Sequence, residues 1–388
     1  MTLIPNLAGR RDAPWTTAQD AILSDRGLRV AHNMIASWEG YAPTPLVALP
    51  GLAAEAGVAE IHLKDEGGRF GLGSFKALGG AFAVARVLAR ELGASRPDLA
   101  ACAQITVTCA TDGNHGRSVA WGAERFGCRA VIYIHQAVSK GREVAIARFG
   151  ADVRRVRGDY DDSVRFAARE AASNGWHVVS DTSWPGYTDV PGDVMQGYEV
   201  MAKEAFEALD APPTHIFLQT GVGGMAAAVT ATAKRRWGDA RPVIILADPQ
   251  GAACWAESFI ANAPTPAKGA VETAQAGLAC GEVSELAWTI LRDHADAAIL
   301  VPDGAAFEMM RRLARPTQGD APIVAGESAV AGLAACLDAE HATRTALKLG
   351  KDARVLVFST EGDTDPELYR QIVGADGRTI PNGGVHAT

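Results

Sequence analysis

The chain lacks the features that would draw it to a nucleic acid or a bilayer. No basic block breaks a composition of net charge −8, so no cluster is present that could release counterions from a polyanion. No window reaches the roughly 18 uninterrupted apolar residues of a membrane helix. The start, Met1-Thr2-Leu3-Ile4-Pro5-Asn6, has no basic segment followed by an apolar one. The expectation is a cytoplasmic protein with no nucleic-acid and no membrane partner. Cysteine is sparse, and the six residues at 102, 109, 128, 254, 280 and 336 form no CxxC pair and no metal-ligand spacing. No metal and no cysteine nucleophile are expected, and most thiols should be core hydrophobes. Internal repeats and low-complexity linkers are missing as well.

What is present is ordinary globular material. The 388 residues are 48% hydrophobic and 21% charged, enough for two domains with sizeable cores. Short β-branched runs alternate with Ala-rich stretches of helical period, which predicts an α/β fold built on mainly parallel sheet. Strands are predicted at 105–108, 130–134, 153–156, 178–180, 216–218, 243–247 and 355–358, with helices at 81–92, 115–126, 142–149, 163–173 and 225–236. The closely spaced strands between 105 and 180 would form a small sheet, and those from 216 onward a larger one. The expected division is a large domain of 1–80 and 186–388 and a small inserted α/β domain of 81–185, with the site in the cleft between them.

Four segments carry chemistry. Lys76 lies in Gly73-Ser74-Phe75-Lys76-Ala77-Leu78-Gly79-Gly80, small neighbours that let backbone approach a ligand. A Schiff-base lysine must attack unprotonated, which calls for a desolvated amine of lowered pKa; a phosphate contact or an exposed ammonium also fits the pattern. Thr111-Asp112-Gly113-Asn114-His115 follows a predicted strand and opens a helix. It reads as an anion-binding turn with Thr111, Asn114 and His115 as added donors, or as an Asx turn with a helix cap. Gly221-Val222-Gly223-Gly224-Met225 sits at another strand-to-helix junction, suited to enclosing a phosphate with successive N–H groups. A dinucleotide loop competes, weakened because the spacing is not G-x-G-x-x-G on a first βα turn; tight packing without a ligand is the plain alternative. Ser359-Thr360-Glu361 ends the last predicted strand, where a hydroxyl can meet a neutral pyridine nitrogen or simply cap a helix.

Together, the order of lysine, Asn loop, Gly loop and strand-terminal Ser resembles the β-family, or fold type II, of pyridoxal-phosphate enzymes. That family includes serine and threonine dehydratases, tryptophan synthase β and cysteine synthase. Within it the chain is most similar to the diaminopropionate ammonia-lyases, through Lys64-Asp65-Glu66, Arg69 to Gly80, Ala110 to Gly116, Tyr160 to Arg165, Ser180 to Tyr187, Met195 to Tyr198 and Ser359 to Asp365. The resemblance implies a two-domain tryptophan synthase β-like fold, a pyridoxal 5'-phosphate cofactor, an amino-acid substrate and a homodimer. It implies α,β-elimination of 2,3-diaminopropionate to pyruvate and ammonia. Lys76 would hold the cofactor, Asn114 would contact its ring hydroxyl, Gly221, Val222, Gly223, Gly224 and Met225 would bind its phosphate, and Ser359 or Thr360 would meet the ring nitrogen. Asp112 and Asp181 would take the α-proton from opposite enantiomers, with Thr111, His115 and Tyr160 also lining the substrate site.

Each role has a plainer reading. Asp112 could cap the helix that follows it, Asp181 could hold the loop before Trp184, and Tyr160 could pack between domains. Asp193 departs from the family pattern, either adding charge near the cleft or sitting in a solvated turn. Cys254 and Cys280 match the spacing of a cysteine pair in the family, and free thiols are expected in a cytosol. The competing functions are a dehydratase for serine, threonine or 3-hydroxyaspartate, a β-replacing synthase, a pyridoxal-phosphate or amino-acid binding module without turnover, and a nicotinamide-dependent oxidoreductase.

Overall fold

A computed structural model describes residues 1–94, 98–158, 160–317 and 319–381. Residues 95–97, 159, 318 and 382–388 fall inside the expected domain bounds and lie outside the described residues. Among the described residues eleven strands form two sheets. They are β1 (Leu3–Pro5), β2 (Leu46–Ala48), β3 (Glu60–Asp65), β4 (Thr106–Ala110), β5 (Arg129–His135), β6 (Asp152–Val156), β7 (His177–Val178), β8 (His215–Gln219), β9 (Val243–Pro249), β10 (Ala297–Val301) and β11 (Arg354–Ser359).

The larger sheet runs β1-β10-β9-β8-β11-β3-β2. It is parallel throughout its centre, with antiparallel edges at β1 and β2. Its central strands are apolar because both faces are covered: Ile216, Leu218, Leu246 and Phe358 join one core, while Phe217, Ile245, Val355 and Val357 join the other. The smaller sheet, β6-β5-β4-β7, is entirely parallel. Since β8, β11 and β4 are parallel strands, the loops at their carboxyl ends are natural ligand sites. These loops hold the Gly, Ser-Thr and Asn motifs.

Three helices join the sheets. Lys76–Leu92 packs on both Asn114–Phe126 and Asp189–Ala208. The first begins five residues before the predicted 81–92, because Gly79 and Gly80 are helical rather than loop. They are small so that neighbours can approach: a Cβ on Gly79 would strike Tyr198, one on Gly80 would strike Ser118, and one on Gly122 would stand 2.8 Å from the Ala81 Cα.

Four strands were not predicted, β1, β2, β3 and β10. β3 reads as polar, yet its Lys64 is buried, with Nζ 2.7 Å from Glu204 Oε2. Arg69 reaches Glu66 at 2.8 Å and Glu204 at 2.7 Å, so two cations and two anions satisfy each other beneath the sheet. The predicted strand 178–180 stops at Val178, because the Tyr187 hydroxyl accepts from Ser180 N–H at 3.1 Å and donates to Val178 O at 2.8 Å. Asp193 lies in neither of its expected settings. It sits inside helix Asp189–Ala208 and pairs with Arg86 at 3.2 Å and Arg90 at 2.5 Å.

Candidate active site

Lys76 occupies the first turn of its helix, and the loop before it is stitched to the end of β11. Phe75 N–H donates to Thr360 O at 3.1 Å, and Gly362 N–H to Gly73 O at 2.9 Å. The ammonium lies 5.4 Å from the Phe75 ring centre and 5.8 Å from that of Tyr198, and it pairs with the Asp181 carboxylate. Burial disfavours the charged lysine, but Asp181 outweighs it and the Lys76 pKa is raised. Burial likewise opposes the Asp181 carboxylate, and Lys76 with His115 outweighs that, holding it below the usual range. The expected lowered lysine pKa is therefore corrected. In this state the amine is an ion-paired ammonium, because a carboxylate 105 residues away in sequence is its neighbour.

The Asn loop separates two duties that the sequence left joined. Thr111 does the capping, its Oγ1 accepting from the N–H groups of Gly113 and Gly116 at 3.0 Å each. The Asp112 carboxylate does not cap; its Oδ1 meets His135 Nε2 at 2.7 Å. His115 donates from Nε2 to Val179 O at 2.7 Å and leaves Nδ1 without a hydrogen bond, 3.8 Å from Asp181. Burial lowers its pKa, which fits a neutral ring. Asn114 gives its amide to Glu361 and accepts from Arg117 at 2.5 Å. The loop before Trp184 is held by Ser183, whose hydroxyl lies 2.7 Å from that of Ser284 and accepts from Leu286 N–H at 2.9 Å. Asp181 is thereby free of that task.

These groups converge on one open cavity of about 960 Å³, solvent mouth included. Its walls include Lys76, Thr111, Asp112, Asn114, His115, Tyr160, Asp181, residues 221–226 and Thr360. Ser359 is not among them. Successive strand residues point to opposite faces, and the Ser359 hydroxyl is buried without a hydrogen bond among the described residues while Thr360 faces the cavity. Gln219 donates to Thr360 Oγ1 at 2.9 Å, and the threonine hydroxyl in turn donates to Ser328 O at 3.5 Å. Burial raises the Tyr160 hydroxyl pKa well above its ordinary value. Cys254 and Cys280 are free thiols beside Gly221.

A phosphorylated ring suits this geometry. Gly223 stands at φ 98° before helix Gly224–Trp237, and no side chain caps that helix. Its first N–H groups have no intrahelical acceptor and open toward the cavity, as an anion requires. A Cβ at 223 would overlap the Trp255 ring, and one at 221 would stand 3.0 Å from Cys280 Sγ. The glycines shape the cradle.

Several cavity groups escaped the sequence reading. Glu361 accepts from Ser328 N–H at 3.2 Å and Thr364 Oγ1 at 3.1 Å, and Arg142 reaches Glu327 at 2.8 Å. Arg142 comes from the small-sheet side and Glu327 from the other, so their pair spans the cleft. His135 gave no signal either, since its partner lies 23 residues away.

A family model described as pyridoxal-phosphate dependent enzyme matches residues 38–361. The chain is 41% identical over 360 residues to the diaminopropionate ammonia-lyase of Escherichia coli strain K12, covering 89% of this chain and 90% of that one. Two crystal structures of the Escherichia coli enzyme superpose closely. One, in complex with D-serine, gives a TM-score of 0.88 at 36% identity. The other, with an aminoacrylate-PLP azomethine reaction intermediate, gives 0.87 at 37%. Each covers 96% of both chains. The fold-type-II architecture and the cofactor class follow from this agreement, and the chain belongs to the pyridoxal-phosphate dependent enzymes.

Proposed function

We propose that the chain is an ammonia-lyase that converts 2,3-diaminopropionate and water to pyruvate and two molecules of ammonia. One observation carries the reading. Two carboxylates, Asp112 and Asp181, line a single cavity with Lys76. A substrate with an ammonium on each of two carbons is attracted there more strongly than one with a hydroxyl. The 41% identity to a diaminopropionate ammonia-lyase supports the same assignment.

Lys76 would hold the cofactor through its amine, the N–H groups from Gly221 to Met225 would hold its phosphate, and Thr360 and Asn114 would meet its ring. Pyridoxal phosphate, when bound, supplies an electron sink for the negative charge that develops at the substrate α-carbon. Asp181 and Asp112 each remove the α-proton from one enantiomer, as general bases within reach of the cavity. The β-nitrogen, bound as its ammonium, departs as neutral ammonia, whereas a free β-amine would have to take a proton first to avoid leaving as an amide. The enamine product hydrolyses in water to pyruvate and the second ammonia.

The reading extends to a large domain of 1–80 and 186–388, a small domain of 81–185, a cytoplasmic location and a homodimer. The separate sheets support the first of these, and the family resemblance supports the last. The test is 2-oxo acid release, pyruvate from diaminopropionate and serine and 2-oxobutyrate from threonine, alongside the visible spectrum of wild type and Lys76→Ala. Faster turnover of the hydroxy amino acids, or no pyruvate from diaminopropionate, would overturn the substrate assignment. An identical spectrum for Lys76→Ala would overturn the role of the lysine.

A further inference from the structure

The two aspartates of the cavity are held in different ways. Asp181 is tied to Lys76, whose amine is the cofactor's attachment point in the functional reading above. Asp112 is tied to His135, a residue at the end of β5 that does not line the cavity. Its 2.7 Å bond to Asp112 Oδ1 uses the ring Nε2. The other ring nitrogen, Nδ1, faces Ala137 N–H at 3.4 Å. A backbone N–H there favours a lone pair on Nδ1, so the neutral ring carries its proton on Nε2 and donates to Asp112. The His135 backbone is itself fixed: its carbonyl accepts from Arg155 at 3.1 Å and from Val138 N–H at 3.2 Å. Asp112 Oδ2 takes no hydrogen bond from a described residue.

We infer that His135 is a positioning residue for Asp112. It occupies Oδ1, fixes the orientation of the carboxylate by donating to it, and leaves Oδ2 as the oxygen that receives the substrate proton. The donor does not depend on Lys76, so Asp112 keeps its orientation when the lysine is engaged by the cofactor. Among the described residues Asp181 takes a side-chain hydrogen bond only from Lys76, and the two aspartates therefore respond differently to loss of the histidine. This inference rests on the proposed division of the enantiomers between the acids.

The test compares wild type, Asp112→Asn, His135→Ala, His135→Gln and the Asp112→Asn/His135→Ala double variant on each diaminopropionate enantiomer separately. A hydrogen bond to a charged group is worth about 1.5–3 kcal/mol, so His135→Ala should lose about 10- to 100-fold in kcat. The loss should be confined to the enantiomer that Asp112→Asn disables. Gln places an amide donor near the Nε2 position and should restore most of the rate, and the double variant should be no slower than Asp112→Asn alone. Equal losses on both enantiomers would overturn the inference while leaving the substrate assignment intact. A wild type inactive on both would overturn the functional reading and this inference with it. Nitrogen-15 NMR of histidine in the wild-type holoenzyme gives a readout independent of turnover. The inference expects a proton on His135 Nε2, donated to Asp112, and a ring protonated at Nδ1 alone would refute it.

Discussion

Gly223→Ala perturbs the cradle at its narrowest point, and the structure sets the size of the effect. The residue stands at φ 98°, where a Cβ costs about 1–2 kcal/mol in the left-handed region. That Cβ would also overlap the Trp255 ring. Trp255 cannot retreat: it is fully buried, its Nε1–H donates to Gly221 O at 2.9 Å, and Phe259 and Trp288 flank it at 5.9 and 6.1 Å. Forcing extra volume into such packing costs about 1–3 kcal/mol, giving a total of about 2–5 kcal/mol. Gly57→Ala is the control, because Gly57 also has positive φ, at 60°, but a Cβ there meets nothing within 4 Å. Urea unfolding of the two apo-variants should separate the backbone cost from the clash. Cofactor titration should show weakened binding for Gly223→Ala alone. Equal destabilisation of both variants, or unchanged cofactor affinity in Gly223→Ala, would refute the account of the cradle.

Other perturbations test other parts of the fold. Lys76→Ala strands the buried Asp181 carboxylate and should destabilise the apo-protein by about 3 kcal/mol in chemical denaturation; adding Asp181→Asn should recover much of that loss. Glu204→Gln leaves Lys64 and Arg69 without their shared partner and should cost about 3–5 kcal/mol in the same assay. His294 is buried with an unpartnered Nδ1, and burial, with the Arg241 and Lys234 charges, pushes its pKa down from 6.5 to about 4. The unfolded chain binds the proton first, so stability from this group is complete above about 6.5 and lost as pH falls toward about 4. His294→Gln should flatten that part of the stability–pH curve, and an unchanged slope would count against the assignment.

The parts of this molecule that declare themselves locally were legible. The β8, β9 and β11 runs are apolar because both sheet faces are covered, and the three loops at the ends of β8, β11 and β4 carry their own turn chemistry. β10 was hidden by the alanines at its start, and β3 by charges whose partners come from distant elements. Gly79 and Gly80 fell outside the predicted helix 81–92, because nothing local announces a helix pressed against two neighbours. At the site, Lys76 and Asp112 were visible as residue types in a pattern. The raised lysine pKa, the capping by Thr111 and the clamp of His135 on Asp112 were not, since each depends on which side chain folds beside which. Strand alternation decided between Thr360 and Ser359, a distinction that a one-residue error in the strand end would reverse.

The central claim is that two carboxylates in one cavity divide the enantiomers of diaminopropionate between them. Its most direct measurement is pyruvate release from each enantiomer by Asp112→Asn and Asp181→Asn holoenzyme. The account expects each variant to lose mainly one enantiomer, and the two variants to lose opposite ones. Equal loss on both enantiomers in both variants would contradict it.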